Sequence, residues 1–140
     1  MAENVVVSTA VLTNSLDFFQ AEDYYLKLFT DDDLTPSAAM VPGDFTEAAG
    51  GDYAHVVVDS SEDWSEEYGN TPPDLILAEQ TFTFTGVLTG PQAIYGWYLI
   101  TQDSASVRAA KLLDSPYTPA SGGGTLKFTP RIQAGNGTPA

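Results

Sequence analysis

Histidine and cysteine, the residues on which many hydrolase sites depend, are scarce in this chain of 140 residues. The only histidine is His55, and there is no cysteine. A serine or cysteine hydrolase needs a histidine base beside its nucleophile, and the sequence has no Gly-x-Ser-x-Gly turn to present a serine. Within the stretch Tyr-Ala-His-Val-Val-Val, His55 is most simply a residue on one face of a strand. The sequence therefore offers no nucleophile and base of the usual kind.

Carboxylates offer two other kinds of chemistry. Asp31, Asp32 and Asp33, with Asp44 and Glu47 downstream, are candidate calcium ligands, because calcium binds several hard oxygen atoms. The run does not follow the ligand pattern of an EF-hand, so a solvated turn is the favoured interpretation. A carboxylate pair for glycoside hydrolysis would need a cleft lined with aromatics, and the chain has only two tryptophans. We predict that the protein is not an enzyme and binds no metal or cofactor.

The acidic residues are concentrated in the first half of the chain. Nineteen acidic and five basic residues give a formal charge of −14, so we expect no nucleic-acid partner. Residues 1–70 contain 15 acids and one base, whereas residues 71–140 contain four of each. This asymmetry predicts either a neutral region that meets a partner or acidic loops that only keep the protein soluble. No apolar run reaches ~18 residues and no signal peptide is recognisable, so we expect no membrane association.

The first twenty residues are predicted to form a helix. From Val7 onward, apolar residues recur at spacings of three and four and form one stripe, which predicts an N-terminal helix over residues 5–20. The run of Val5, Val6 and Val7 allows a short strand or arm instead. At the other end, residues 134–140 lack apolar anchors, and we expect a mobile or partner-bound tail.

The rest of the chain predicts about six or seven strands with no helical period between them. The strand patterns cover 24–30, 53–59, 79–86, 92–101, 107–113 and 125–132. In residues 79–86, phenylalanine alternates with threonine, which is typical of a half-buried strand. Residues 60–74 are predicted to be an acidic loop. Parallel strands need helical crossovers, so we predict that these strands are antiparallel. The expected fold is a single, mainly β domain over 1–140, a β-sandwich or jelly roll.

Apolar side chains on the second faces of two strands are candidates for subunit contacts. If alternate residues of 24–30 face the core, Tyr25 and Phe29 face outward. The strand over 92–101 is apolar on both faces, so Tyr95 and Trp97 are candidates for the same kind of outward contact. The alternative is that the N-terminal helix and the long loops cover them within one subunit. The candidate partner interface combines these aromatics with the first valines and the basic residues of the second half: Val5, Val6, Val7, Tyr25, Phe29, Tyr95, Trp97, Arg108, Lys111, Lys127 and Arg131.

Strand and turn sequences follow one another in a characteristic order from Val7 to Ile132. After the apolar N-terminal segment they are Tyr25–Thr30, Leu34–Pro36, Asp44–Ala48, Gly51–Ala54, Glu79–Gly86, Ile94–Tyr98 and Gly124–Pro130. Together these stretches resemble a family of small structural proteins of tailed bacteriophages. Where relatives often carry Asn-Asn after the first strand, this chain has an aspartate run, a departure that concerns a loop. The resemblance implies a virion component without enzymatic activity, either a head decoration (cement) protein or a piece of fibre, spike or tail.

We therefore expect a capsid decoration protein. Its neutral half would contact the major capsid protein or other virion proteins, while its acidic half faces solvent. Many copies, made in the host cytoplasm, would bind the capsid exterior, and closed symmetry favours a homo-oligomer such as a trimer. The alternatives are a tail fibre or spike module that binds a host receptor or glycan, and a small glycan-active enzyme.

Overall fold

The structure is a computed structural model that describes residues 6–7, 23–37, 39–59, 64–67 and 74–133. Strands account for most of the regular structure in these residues, and the one helix among them is a single 3-10 turn, Pro42–Asp44. The prediction of a mainly β fold is therefore confirmed. The strands are β1 (Val6–Val7), β2 (Tyr24–Phe29), β3 (Val56–Val58), β4 (Trp64–Glu67), β5 (Asp74–Leu77), β6 (Gln80–Phe84), β7 (Ile94–Thr101), β8 (Val107–Tyr117), β9 (Gly124–Phe128) and β10 (Arg131–Gln133).

All of the strand pairs are antiparallel. The largest sheet has the order β1-β8-β7-β2-β3, and the smaller ones have the orders β10-β5-β4 and β6-β9. The backbone N–H of Leu77 donates to the carbonyl of Pro130 at 2.9 Å, between the β5–β10 pair and the β6–β9 pair. The two smaller sheets therefore follow one another along the same two stretches of chain, 74–84 and 124–133.

The main hydrophobic core joins the five-stranded sheet to β6 and β9. Leu26 and Leu28 of β2 are fully buried, and they belong to the same cluster as Phe82 and Phe84 of β6. The threonines between and beside these phenylalanines are exposed, as the alternation in the sequence predicts. Burial of these large apolar side chains stabilises the contact between the sheets.

The opposite face of the five-stranded sheet carries a second apolar cluster. It is formed around Phe29 and Tyr98, and the loop after β2 covers it with Met40 and Phe45. The ring of Phe45 stacks on that of Tyr98, with centroids 4.3 Å apart. Phe29 lies on this opposite face, as the alternation predicts, and the loop buries it completely. For Phe29, the structure therefore agrees with the alternative that the long loops cover the second face within one subunit.

A bulge near the start of β7 changes which residues share a face. The register between β7 and β8 shifts between Ile94 and Gly96. As a result, Ile94 lies in the main core with Trp97, whereas Tyr95 packs against the second cluster. Strict alternation along β7 would put Ile94 on the face of Tyr98 and Tyr95 on the face of Trp97, but the irregularity near Gly96 interrupts the alternation.

The first described residues form a strand rather than a helix. Val6 and Val7 are β1, and they pair antiparallel with Ala110 and Ala109 at the edge of the large sheet. The prediction of a helix is wrong at these two valines, whose branched side chains suit a strand, and the alternative of a short strand is confirmed there. The remaining parts of that prediction and the predicted tail lie outside the described residues: Val5, 8–20 and 134–140.

The predicted loop over residues 60–74 contains a strand that the sequence pattern did not reveal. Strand β4 pairs with β5, with Trp64 opposite Leu77 and Glu67 opposite Asp74. It lies at the edge of its three-stranded sheet. Edge strands tolerate charged residues because one side faces water, so the two glutamates of β4 hid its extended conformation.

Candidate functional site

Three of the five basic residues of the chain converge on one groove beside β8, β9 and β10. The groove has a volume of about 480 Å³ and is open to solvent. We call it the basic groove. Its lining residues are Trp97 from β7; Lys111, Leu113, Asp114 and Ser115 from β8; Leu126, Lys127 and Phe128 from β9; Thr129; and Arg131 from β10.

The floor of the basic groove is apolar. Leu126 and Phe128 alternate with exposed Lys127 along β9, so the pleat turns the two apolar residues toward the core. The ring of Phe128 stacks on the indole of Trp97 at an angle of 8°, with centroids 5.9 Å apart. Trp97 is only 2% exposed, so it supports the floor from beneath. The half-buried residues Leu113, Leu126 and Phe128 therefore supply the apolar surface that a ligand would cover.

The rim of the basic groove is predominantly positive. Lys127 is exposed, Lys111 and Arg131 are half-buried, and among the residues that the structure describes the lining contains one carboxylate, Asp114. The ammonium group of Lys111 also donates to the carbonyl of Leu112 at 3.2 Å. In a chain with a net charge of −14, a local excess of positive charge favours an acidic partner.

The groove also lies beside strand edges that no described strand pairs with. Within the described part of the chain, β9 pairs only with β6, and β10 pairs only with β5. Strand β1 covers β8 at Ala109 and Ala110, before β8 reaches the groove. Unpaired edges present backbone donors and acceptors that an added strand can satisfy. The combination of apolar floor, positive rim and open edges suits an extended acidic protein segment.

The other residues of the predicted interface are buried or lie outside the basic groove. Arg108 falls where the register of β8 shifts between the partners of Leu99 and Ile100, and it does not line the groove. Trp97 is buried beneath the ring of Phe128, which agrees with the alternative that this face is covered within one subunit. Tyr95 is half-buried against the second cluster.

Tyr25 belongs to a separate polar and aromatic group around Glu47. Its ring lies 4.3 Å from that of His55, and the ammonium group of Lys27 is 5.7 Å from its centroid. Lys27 forms a salt bridge with Glu47 at 3.3 Å. Tyr25 is thus half-buried by neighbours in the same chain.

The same Glu47 also receives a tyrosine hydroxyl. The hydroxyl of Tyr53 donates to Oε2 of Glu47 at 2.8 Å and accepts the backbone N–H of Leu28 at 3.1 Å. Burial raises the pKa of Tyr53 above its ordinary range, although the hydrogen bond from Leu28 opposes the shift. Sequence reasoning treated Glu47 only as a calcium candidate, because these partners are distant along the chain. Through the hydroxyl of Tyr53, which lies shortly before β3, Glu47 in the loop after β2 is connected to the backbone of β2 at Leu28.

The first residue of the aspartate run, Asp31, also stabilises a loop. Oδ2 of Asp31 accepts the backbone N–H of Thr46 at 2.7 Å, whereas Asp32 and Asp33 are exposed in a turn. Among the residues that the structure describes, no group of three or more histidine, aspartate or glutamate side chains is placed to hold a metal ion. The carboxylate of Asp31 therefore stabilises the loop at Thr46 and does not form a shared group of ligands with Asp32 and Asp33.

Comparisons with known proteins add no assignment. No protein-family model matches the sequence, and neither a curated protein nor a solved structure matches the chain. Within the described residues, no helix is both long and apolar enough to cross a membrane.

Proposed function

We propose that the protein is a non-enzymatic virion component of a tailed bacteriophage that binds the capsid exterior as a decoration (cement) protein. The observation that carries the proposal is the basic groove, where Leu126 and Phe128 form an apolar floor beneath Lys111, Lys127 and Arg131. Apolar area with surrounding charge is the composition of a protein-docking surface. The resemblance of the strand and turn sequences to phage structural proteins supports the choice of a virion.

The proposed architecture is a β-sandwich of the jelly-roll type. One layer would be the five-stranded sheet, and the other would be the smaller sheets that share the stretches 74–84 and 124–133. In support, the main cluster contains Leu26 and Trp97 from the first layer and Phe82 from the second. Two packed antiparallel layers provide a rigid body with adjustable edges.

The proposed task is adhesive. Each copy would bury a modest area on the capsid lattice, and many copies acting on one shell would add avidity. The acidic first half would face solvent and keep the particle colloidally stable, since like charges on neighbouring particles repel. The partners would be the major capsid protein or other virion proteins, and the chain would act as a homo-oligomer.

The test is co-sedimentation of the purified chain with capsid shells of the phage that encodes it. Shells stripped of decoration should carry the protein into the pellet, and shells whose decoration sites are already filled should not, which provides the matched control. Recovery of all the protein in the supernatant with both shells would contradict the proposal. Binding to host cells in place of shells would instead support a tail fibre or spike module.

A further inference from the structure

We draw no further inference here: the strongest candidate, the surface patch of Tyr25, His55 and Val57 on the face of the large sheet that carries the second apolar cluster, is only partly exposed, and nothing in the structure shows what covers it.

Discussion

The rings of Trp97 and Phe128 lie within 8° of parallel, with centroids 5.9 Å apart. Trp97 comes from β7 in the middle of the large sheet, and Phe128 ends β9 in the two-stranded sheet. This pair therefore joins the two sheets at the same place where it forms the base of the basic groove.

Removing the ring of Phe128 should loosen this junction. We expect Phe128→Ala to lower the free energy of unfolding by about 2–3 kcal/mol, because a half-buried ring and its stacking on Trp97 are lost. Urea denaturation followed by circular dichroism measures the change. Lys127→Ala, one residue earlier and exposed, should alter stability by less than about 0.5 kcal/mol. Equal losses in the two variants would contradict the role assigned to the ring.

Gly96 lies between the backbone of β8 and the ring of Phe29, and the space between them has no room for a side chain. A methyl group there would collide with the carbonyl oxygen of Lys111 and with the ring of Phe29. We expect Gly96→Ala to lower the free energy of unfolding by about 2 kcal/mol, since neighbouring backbone must move. Gly122→Ala is the control, because no atom lies within 4 Å of a methyl group at that position. A thermal midpoint that is unchanged in Gly96→Ala would refute the predicted collision.

The half-buried Tyr53 and the buried Tyr98 should make the protein sensitive to alkali. Burial raises the pKa of Tyr53 and of Tyr98 above the ordinary range. Unfolded tyrosines lose their protons near pH ~10, whereas these two keep them in the folded state. Their contribution to stability is thus fully present below pH ~10 and is lost as the pH rises further, by about 1.4 kcal/mol per pH unit for each tyrosine.

The measurement is denaturant unfolding at a series of alkaline pH values. Tyr98→Phe cannot ionise at this position, so its stability should fall less steeply with pH than that of the unaltered chain. If the two slopes are the same, Tyr98 does not retain its proton in the folded state.

The three adjacent aspartates should differ in their effect on stability. Asp31→Ala removes the acceptor for the backbone N–H of Thr46, and we expect a loss of about 1 kcal/mol. Asp32→Ala removes an exposed carboxylate with the same charge and should have almost no effect. Chemical denaturation of both variants checks this. A larger loss in Asp32→Ala would show that charge, rather than the hydrogen bond, determines the stability of this turn.

Local alternation predicted the strands that have one face in the core. In β6, phenylalanine and threonine repeat with a period of two, and Phe82 and Phe84 are buried as expected. The same rule failed for β7, because both of its faces are apolar and a bulge near Ile94 changes the assignment. It also missed β4, whose glutamates resemble those of a loop.

The candidate site was predicted as separate residues rather than as one surface. Lys111, Lys127 and Arg131 were recognised as basic residues of the neutral half, but their sequence positions do not show that β8, β9 and β10 meet. Phe29 and Trp97 were expected at a partner surface because a second apolar face is visible in the pattern. What covers that face is a tertiary property, and here the chain itself buries both side chains.

The pairing of β2 with β7 also determines when this molecule can complete its fold during synthesis. Tyr24 lies opposite Thr101, and Phe29 lies opposite Gly96, so the middle of the large sheet joins two distant parts of the chain. A nascent polypeptide that still lacks β7 has no partner for that side of β2 and leaves its apolar residues uncovered. The middle of the large sheet can therefore form only after β7, which ends at Thr101, has been made. Until then, these apolar residues are exposed to aggregation.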